Sequence, residues 1–249
     1  MEELSDAELA ARAADAAGKL LMELRAGALL NGPAIGTAGD LLANDLILAA
    51  IGQRRPDDAI LSEESPDSPD RLARSRVWIV DPLDGTREYA EGRDDWAVHV
   101  ALSIDGAPAA GAVAVPARRR LFRSDDAAVA ATEFKRRPVL LVSRSRPPAE
   151  AQGLAAALGA ELRTMGSAGA KAMAVVAGEA DIYFHAGGQH EWDNCAPVAV
   201  AKGAGLHVSR RDGSAIVYNQ ERPLVPDLLI CRPVWASRAL EALSVVGGA

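Results

Sequence analysis

Cysteine is almost missing from this chain: its 249 residues include two, Cys195 and Cys231. They are too few for a disulfide scaffold and too far apart for a thiol-redox or zinc motif. Both are expected as small buried hydrophobes in a reducing compartment. A basic excess is missing as well. Lysine and arginine number 27 against 34 aspartates and glutamates, a net charge of −7. That sign argues against a general nucleic-acid or membrane-surface binder, because neutralising phosphates needs positive charge. No apolar run approaches the ~18–20 residues of a membrane span. The acidic opening of the chain lacks the basic-then-apolar order of a secretory leader. There is no internal repeat and no long low-complexity tract. These absences lead to the expectation of a cytoplasmic protein with no nucleic-acid polymer and no membrane as partner.

What is present is globular material, 49% hydrophobic and 24% charged, the profile of a soluble domain. The length suits one large domain or two closely joined halves that need no covalent staples. Ser5 to Glu8 form a capping box, and leucines at helical spacing predict a helix that runs to a turn at Asn31, Gly32 and Pro33. A second helix is expected from Asp40. Short apolar runs at 59–64 and 77–81 read as strands that end in carboxylates. Runs at 96–104 and 110–115 flank Asp105-Gly106, a hairpin signal. A charged, apolar-poor stretch over 125–138 marks a seam, giving an N-terminal half of 1–135 and a C-terminal half of 136–249. The second half alternates: strand 139–143, helix 148–158, helix 167–177, strand 181–185, helix 192–204, strands 206–209 and 228–231, and a final helix over 234–246. Such alternation predicts helices layered on sheets.

The chemistry gathers in carboxylates. A strand delivers Asp81, Pro82 stiffens the following turn, and Asp84 follows three residues later with Gly85 permitting close backbone approach. Two carboxylates on one tight turn repel unless cations sit between them, and hard divalent ions favour such oxygen ligands. Thr86 places a hydroxyl beside them, and a helix starting there would offer free N–H groups to a phosphate. Alone, Asp-Pro-x-Asp-Gly also suits a plain surface turn. Glu63 and Glu64 closing a strand, and Asp193 opening a helix, favour the site reading, because open α/β sheets place their sites at such ends.

These segments are identifiable. Leu61 to Glu64, Trp78 to Thr86 and Trp192-Asp193 resemble, in order and separation, the three signatures of the inositol monophosphatase superfamily, and Thr37 to Asp40 resembles its upstream Thr-x-x-Asp element. The resemblance spans nearly the whole chain. It implies an alternating α/β/α/β/α sandwich of the inositol monophosphatase/fructose-1,6-bisphosphatase type, and hydrolysis of phosphomonoesters with two or three Mg²⁺ ions, for which Mn²⁺ is a possible substitute. Carried over by position, Glu63, Asp81, the Leu83 carbonyl, Asp84 and Asp193 look like metal ligands. Asp40 and Thr86, with Glu63, look like the group that orients the attacking water, and the Gly85 and Thr86 amides look like a phosphate cradle. Metal-bound water and charge neutralisation are coherent chemistry for phosphoryl transfer. The resemblance further implies inhibition by lithium, and it alone suggests a homodimer.

The substrate is read from the C-terminal half. Gly166 to Lys171, with Ser167, resembles the loop and helix that face the substrate; Lys171 is typical of the bisphosphate nucleotidase branch. His185 falls where inositol phosphatases carry a glutamate, and a histidine can donate to a second phosphate or carry positive charge. Residues 186–193 and 212–232 resemble the actinobacterial CysQ-type nucleotidases of sulfate assimilation. The leading expectation is therefore removal of the 3′-phosphate of adenosine 3′,5′-bisphosphate, with its 5′-phosphosulfate relative as a second candidate substrate. An inositol or broad sugar-phosphate phosphatase, including fructose 1,6-bisphosphate, is the alternative. A metal or nucleotide sensor without activity is the reading from another class. Arg118 to Arg120 and Lys135 to Arg137 are expected as solvated charges, His99 as a packed hairpin residue, and Trp78 and Trp235 as core.

Overall fold

A computed structural model describes residues 3–126 and 137–246. The boundary expected after residue 135, and most of the charged stretch around it, lies outside the described residues. Two five-stranded sheets organise the molecule. The first has the order β1 (Ala59–Ser62), β2 (Arg76–Asp84), β3 (Ala97–Ile104), β4 (Ala107–Val115) and β5 (Arg120–Arg123). Only β1 and β2 run parallel in it. In the second sheet, β7 (Glu161–Met165), β6 (Val139–Ser143) and β8 (Ile182–His190) run parallel, and β10 (Leu224–Cys231) lies antiparallel between β8 and β9 (His207–Ser209).

Strand alternation then builds five layers. Trp78, Val80, Val98 and Val100 face one side of the first sheet, where they pack against α1 (Asp6–Ala26) and α2 (Gly32–Arg54). Val77, Ile79, Ala101 and Val113 face the other side and meet α5 (Ala168–Val176) and α6 (Glu191–Gly203). Tyr183, Leu228 and Ile230 of the second sheet cover the same pair of helices from beyond. The far face of that sheet, with Leu140, Ile182 and Leu229, packs on α4 (Ala151–Leu158) and α7 (Pro233–Val246). The expected α/β/α/β/α order is the observed one. Each fully buried Val, Leu or Ile contributes roughly 1.5–3 kcal/mol of burial, so this alternation is what fixes the register.

Four expectations about elements change. Helix α2 begins at Gly32, not Asp40. Proline is favoured in a first helical turn, where its missing N–H has no partner to lose, so Pro33 starts this helix instead of breaking the chain. Asp40 is therefore buried in mid-helix. By length and composition α2 would also pass for a membrane span, contrary to the sequence reading; here its inner face, with Ile35, Ala43, Ile47 and Ile51, packs into the core. Strands β5 and β7 were not expected. Both are sheet edges with exposed arginine or threonine side chains, where charge discourages pairing with another chain and also hides the strand in the sequence. Finally β8 continues past His185 through Gly187 and Gly188, held by pairing with β10.

The core assignments fare unevenly. Trp78 is fully buried, and both cysteines are buried and free. Trp235 is half-buried beneath Arg238, whose guanidinium lies 5.2 Å from its ring. Arg118 and Arg120 are exposed or half-buried and pair with Glu179, so they are tied to a neighbour and not merely solvated.

Candidate active site

The end of β2 does the local work. Its register with β3 slips between Asp81 and Asp84, with Pro82 in the slip, and a bulge tolerates a residue that cannot donate to the ladder. The slip turns Asp81 and Asp84 toward the same cleft, while the Leu83 amide donates to Asp81 Oδ1 at 3.0 Å. Gly85 then adopts φ +91°, and a Cβ there would press on Ser167 and Trp96 at 3.3 Å, so glycine is required on both counts. The short helix α3 (Thr86–Ala90) follows. Thr86 Oγ1 lies 3.3 Å from Asp40 Oδ2 and 3.1 Å from the Leu83 carbonyl oxygen, and its single proton serves one of them at a time.

The second contribution arrives from α6, whose first turn carries Asp193. Its Oδ2 accepts from the His190 amide at 2.6 Å, an ordinary use of a carboxylate at a helix start. The consequence is tertiary. One oxygen from each of Asp81, Asp84 and Asp193 comes within 4.8 Å of the others. Glu63, just past β1, is not one of this trio but stands on the rim of the same cleft. Every expected site residue except Asp40 lines this single cleft of about 410 Å³, and Asp40 reaches it through Thr86.

Electrostatics shows how uncomfortable the carboxylates are without a cation. Asp81 is raised well above the ordinary range by burial, then by Glu63, Asp84 and Asp193. Asp193 is pushed up to about 7 by burial and by Asp84. Glu63 is pushed up to about 8 by desolvation between the cleft walls, then by Asp193, Asp40 and Asp84. Asp40 reaches about 7 through burial and the charge of Glu64, with the Thr86 hydrogen bond pulling the other way. Its Oδ1 is buried without a partner. A cluster of oxygen donors that repel one another is the donor set of a hard divalent cation, so the residues fit Mg²⁺ or Mn²⁺.

The C-terminal residues take up roles the sequence did not show. Ser167 caps α5 at φ +36°, and its hydroxyl donates to Asp84 Oδ2 at 2.6 Å while accepting from the Ala170 amide. The Gly169 amide donates to the same oxygen at 2.7 Å. Lys171 is buried, and its Nζ donates to the Gly166 and Ser167 carbonyls at 2.7 and 2.5 Å. Burial lowers its pKa to about 8. Two of its three N–H groups thus brace the loop. His185 Nε2 lies 3.2 Å from the Gly188 carbonyl oxygen. A carbonyl only accepts, so Nε2 carries the proton. Burial lowers the ring's pKa, which favours its uncharged form.

His99 is packed in the hairpin as expected, but nothing in the sequence pointed to its neighbours. It is completely buried on β3, with Nδ1 donating to the Trp192 carbonyl at 3.1 Å and Nε2 3.3 Å from Asp84 Oδ2. It thereby holds the segment of Asp193 through Trp192 and packs against Asp84, where Nε2 makes no hydrogen bond. Only strand alternation hinted that it faces inward, and nothing local said toward what. Arg146 was missed by sequence reasoning; it lines the cleft from the loop after β6.

The comparisons agree with this geometry. The Inositol monophosphatase family profile matches residues 4–245. A 3′-phosphoadenosine 5′-phosphate phosphatase of Mycobacterium leprae is 49% identical over 92% of this chain and 90% of its own. The 3′(2′),5′-bisphosphate nucleotidase CysQ of Escherichia coli is 31% identical over 73% of this chain and 78% of its own. Among solved structures, CysQ from Bacteroides thetaiotaomicron superposes with a TM-score of 0.79 at 25% identity, covering 91% of this chain and 97% of that one. Fold, carboxylate geometry and sequence therefore converge: the chain belongs to the inositol monophosphatase family.

Proposed function

We propose that this chain is a divalent-metal-dependent phosphomonoesterase that removes the 3′-phosphate of adenosine 3′,5′-bisphosphate. The observation that carries the reading is the meeting of Asp81, Asp84 and Asp193 within 4.8 Å beside the linked Asp40 and Thr86. The mycobacterial phosphatase and the CysQ nucleotidase among its relatives support the choice of adenosine 3′,5′-bisphosphate; the 5′-phosphosulfate relative is proposed as a second substrate on the sequence resemblance alone.

Glu63, Asp81, the Leu83 carbonyl, Asp84 and Asp193 would hold two or three Mg²⁺ ions, with Mn²⁺ as a substitute. Bound there, the cations supply positive charge to the phosphate and make water a better nucleophile. The chain's own residues do the positioning. When Thr86 donates its proton to Asp40, its Oγ1 lone pairs would accept from an attacking water, which Glu63 of the same cleft would help to orient. The Gly85 and Thr86 amides would receive the phosphate, since both residues line the cleft. Ser167 and the Gly169 amide fix Asp84, and Lys171 fixes Ser167. Phosphoryl transfer through a loose transition state needs such placement and electrostatics more than a covalent intermediate.

The test is phosphate release by the purified chain from adenosine 3′,5′-bisphosphate, inositol 1-phosphate and fructose 1,6-bisphosphate, with Mg²⁺ and with EDTA. The expected result is Mg²⁺-dependent release with the highest kcat/KM for the adenosine bisphosphate. A higher kcat/KM for inositol 1-phosphate would overturn the substrate, and binding without hydrolysis would favour a sensor.

A further inference from the structure

Beside the carboxylate cleft lies a larger cavity of about 960 Å³. The two share a wall: Arg146 and His185 line both. Its surface is mixed. Pro147, Leu224 and Pro226 supply apolar area, while Arg146, Arg211 and Arg222 bring guanidinium groups. Its acids are already matched. Glu150 pairs with Arg211 at 2.9 Å, and Asp227 holds Arg210 in a two-bond pair at 2.8 and 2.9 Å. Arg146 and Arg222 are exposed, and among the described residues their guanidinium groups make no hydrogen bond or ion pair. In a chain of net charge −7, two unmatched cations facing one cavity form a local reversal of field. Such a reversal attracts an anion that the rest of the surface repels.

We propose that this cavity receives the part of the substrate that does not react, and that Arg146 and Arg222 are specificity-determining residues that bind its second anionic group. The inference rests on the phosphomonoesterase reading above and deepens it. A ligand with one phosphate on the carboxylate side and a second anion in the larger cavity must pass the wall made by Arg146 and His185. That wall suits a sugar between two phosphates, because His185 Nδ1 is a buried nitrogen without a partner and can accept from a hydroxyl. The proline and leucine surfaces suit a flat heterocycle. Lys171, by contrast, lies outside this cavity and has two of its three donors engaged by the Gly166 and Ser167 carbonyls, and His185 directs its N–H at Gly188. The free cations of this region are the arginines. A planar guanidinium also matches two phosphate oxygens at once, which a lysine does not.

The experiment compares adenosine 3′,5′-bisphosphate with adenosine 3′-monophosphate, which has the same 3′-phosphate ester to be cleaved and lacks only the second phosphate. The full chain is assayed with Mg²⁺ as wild type, Arg146→Gln, Arg222→Gln and Arg146→Lys. Each glutamine variant should lose about tenfold or more in kcat/KM for the bisphosphate, the worth of one charge-assisted contact. Arg222→Gln, whose site lies outside the carboxylate cleft, should lose less than about twofold for the monophosphate, and Arg146→Gln, which lines both cavities, should lose less on the monophosphate than on the bisphosphate. Arg146→Lys should recover part of the loss. Adenosine 5′-monophosphate, which keeps only the second phosphate, should bind the glutamine variants more weakly by the same factor in calorimetry, with the affinity of Arg222→Gln for inorganic phosphate unchanged. Equal loss on both substrates, or none on either, overturns the subsite. If wild type hydrolyses neither nucleotide, the phosphomonoesterase reading falls. The calorimetric comparison of wild type with Arg146→Gln still decides the cavity in that case: unchanged binding of adenosine 5′-monophosphate rejects it.

Discussion

At the scale of single residues, Asp81 carries the heaviest expectation. It is buried among Glu63, Asp84 and Asp193, so Asp81→Asn keeps the shape and removes one anion from every cation it would share. Turnover at ordinary Mg²⁺ should fall at least about a hundredfold, since a catalytic metal supplies several kcal/mol of transition-state stabilisation. Steady-state assays across a Mg²⁺ series check it, and near-native turnover would reject the metal assignment. Thr86 makes a different prediction. Its hydroxyl reaches Asp40 and the Leu83 carbonyl, whereas its backbone amide is untouched by mutation. Thr86→Ala should lower kcat about 10- to 100-fold and leave KM nearly unchanged, the signature of a contact that matters in the transition state. An effect confined to KM would place Thr86 in ground-state binding instead.

At the scale of elements, the junction of α5 with β3 and β2 is the critical contact. The start of α5 donates to Asp84 from Ser167 and Gly169, and the Gly166 amide donates to Asp95 at 2.7 Å. His99 packs so tightly there that a Cβ on Gly169 would fall 2.0 Å from its Nε2. The ring cannot retreat, because it is fully buried and its Nδ1 holds the Trp192 carbonyl. Gly169→Ala should therefore destabilise the fold by about 1–3 kcal/mol. It should also weaken Mg²⁺ binding, because the displaced helix end takes the donors of Asp84 with it. Thermal melts and Mg²⁺ titrations measure the two effects. Unchanged melting with unchanged Mg²⁺ affinity would show that the junction is looser than its distances imply.

At the scale of the whole molecule, the acid cluster predicts how stability responds to pH. Asp40 and Asp193 sit near 7 and Glu63 near 8, above their ordinary values of 3.8 and 4.5. Between those limits the folded chain holds protons that the unfolded chain has released, so stability falls as pH rises through the window. His99, His185, His190 and His207 are all lowered by burial and oppose this trend up to about their ordinary 6.5. Lys171, lowered from 10.5 to about 8, opposes it from there upward. The clear interval is therefore pH 6.5 to 8. In EDTA the melting temperature should fall across it, and Mg²⁺ should restore more stability at pH 8 than at pH 6.5, since a cation replaces the missing protons. Calorimetric scans decide this. A melting temperature in EDTA that rises over this interval would contradict the electrostatic account of the cluster.

Residues close in the chain were readable locally, whereas contacts between distant segments were not. Asp81 and Asp84 were legible because three residues around a proline place them on one turn whatever the rest of the chain does. Thr86 was legible for the same reason, and Glu63 and Asp193 because apolar strands and helix starts announce where carboxylates emerge. The layered fold was readable from alternating runs together with the family resemblance. The helix start at Gly32 was misread because Pro33 is both a turn signal and a good first-turn residue, and only packing chooses between them. Strands β5 and β7 were hidden because an edge strand needs little hydrophobic pattern. The partners of Lys171 and His185, the place of His99 between Asp84 and Trp192, and the placing of Arg146 and Arg222 around one cavity had no local signal at all. Each depends on residues tens of positions apart being brought together when helices pack on sheets. A side chain's type is fixed by the sequence, but which of its hydrogen bonds remain free for a ligand is fixed only by its neighbours in space.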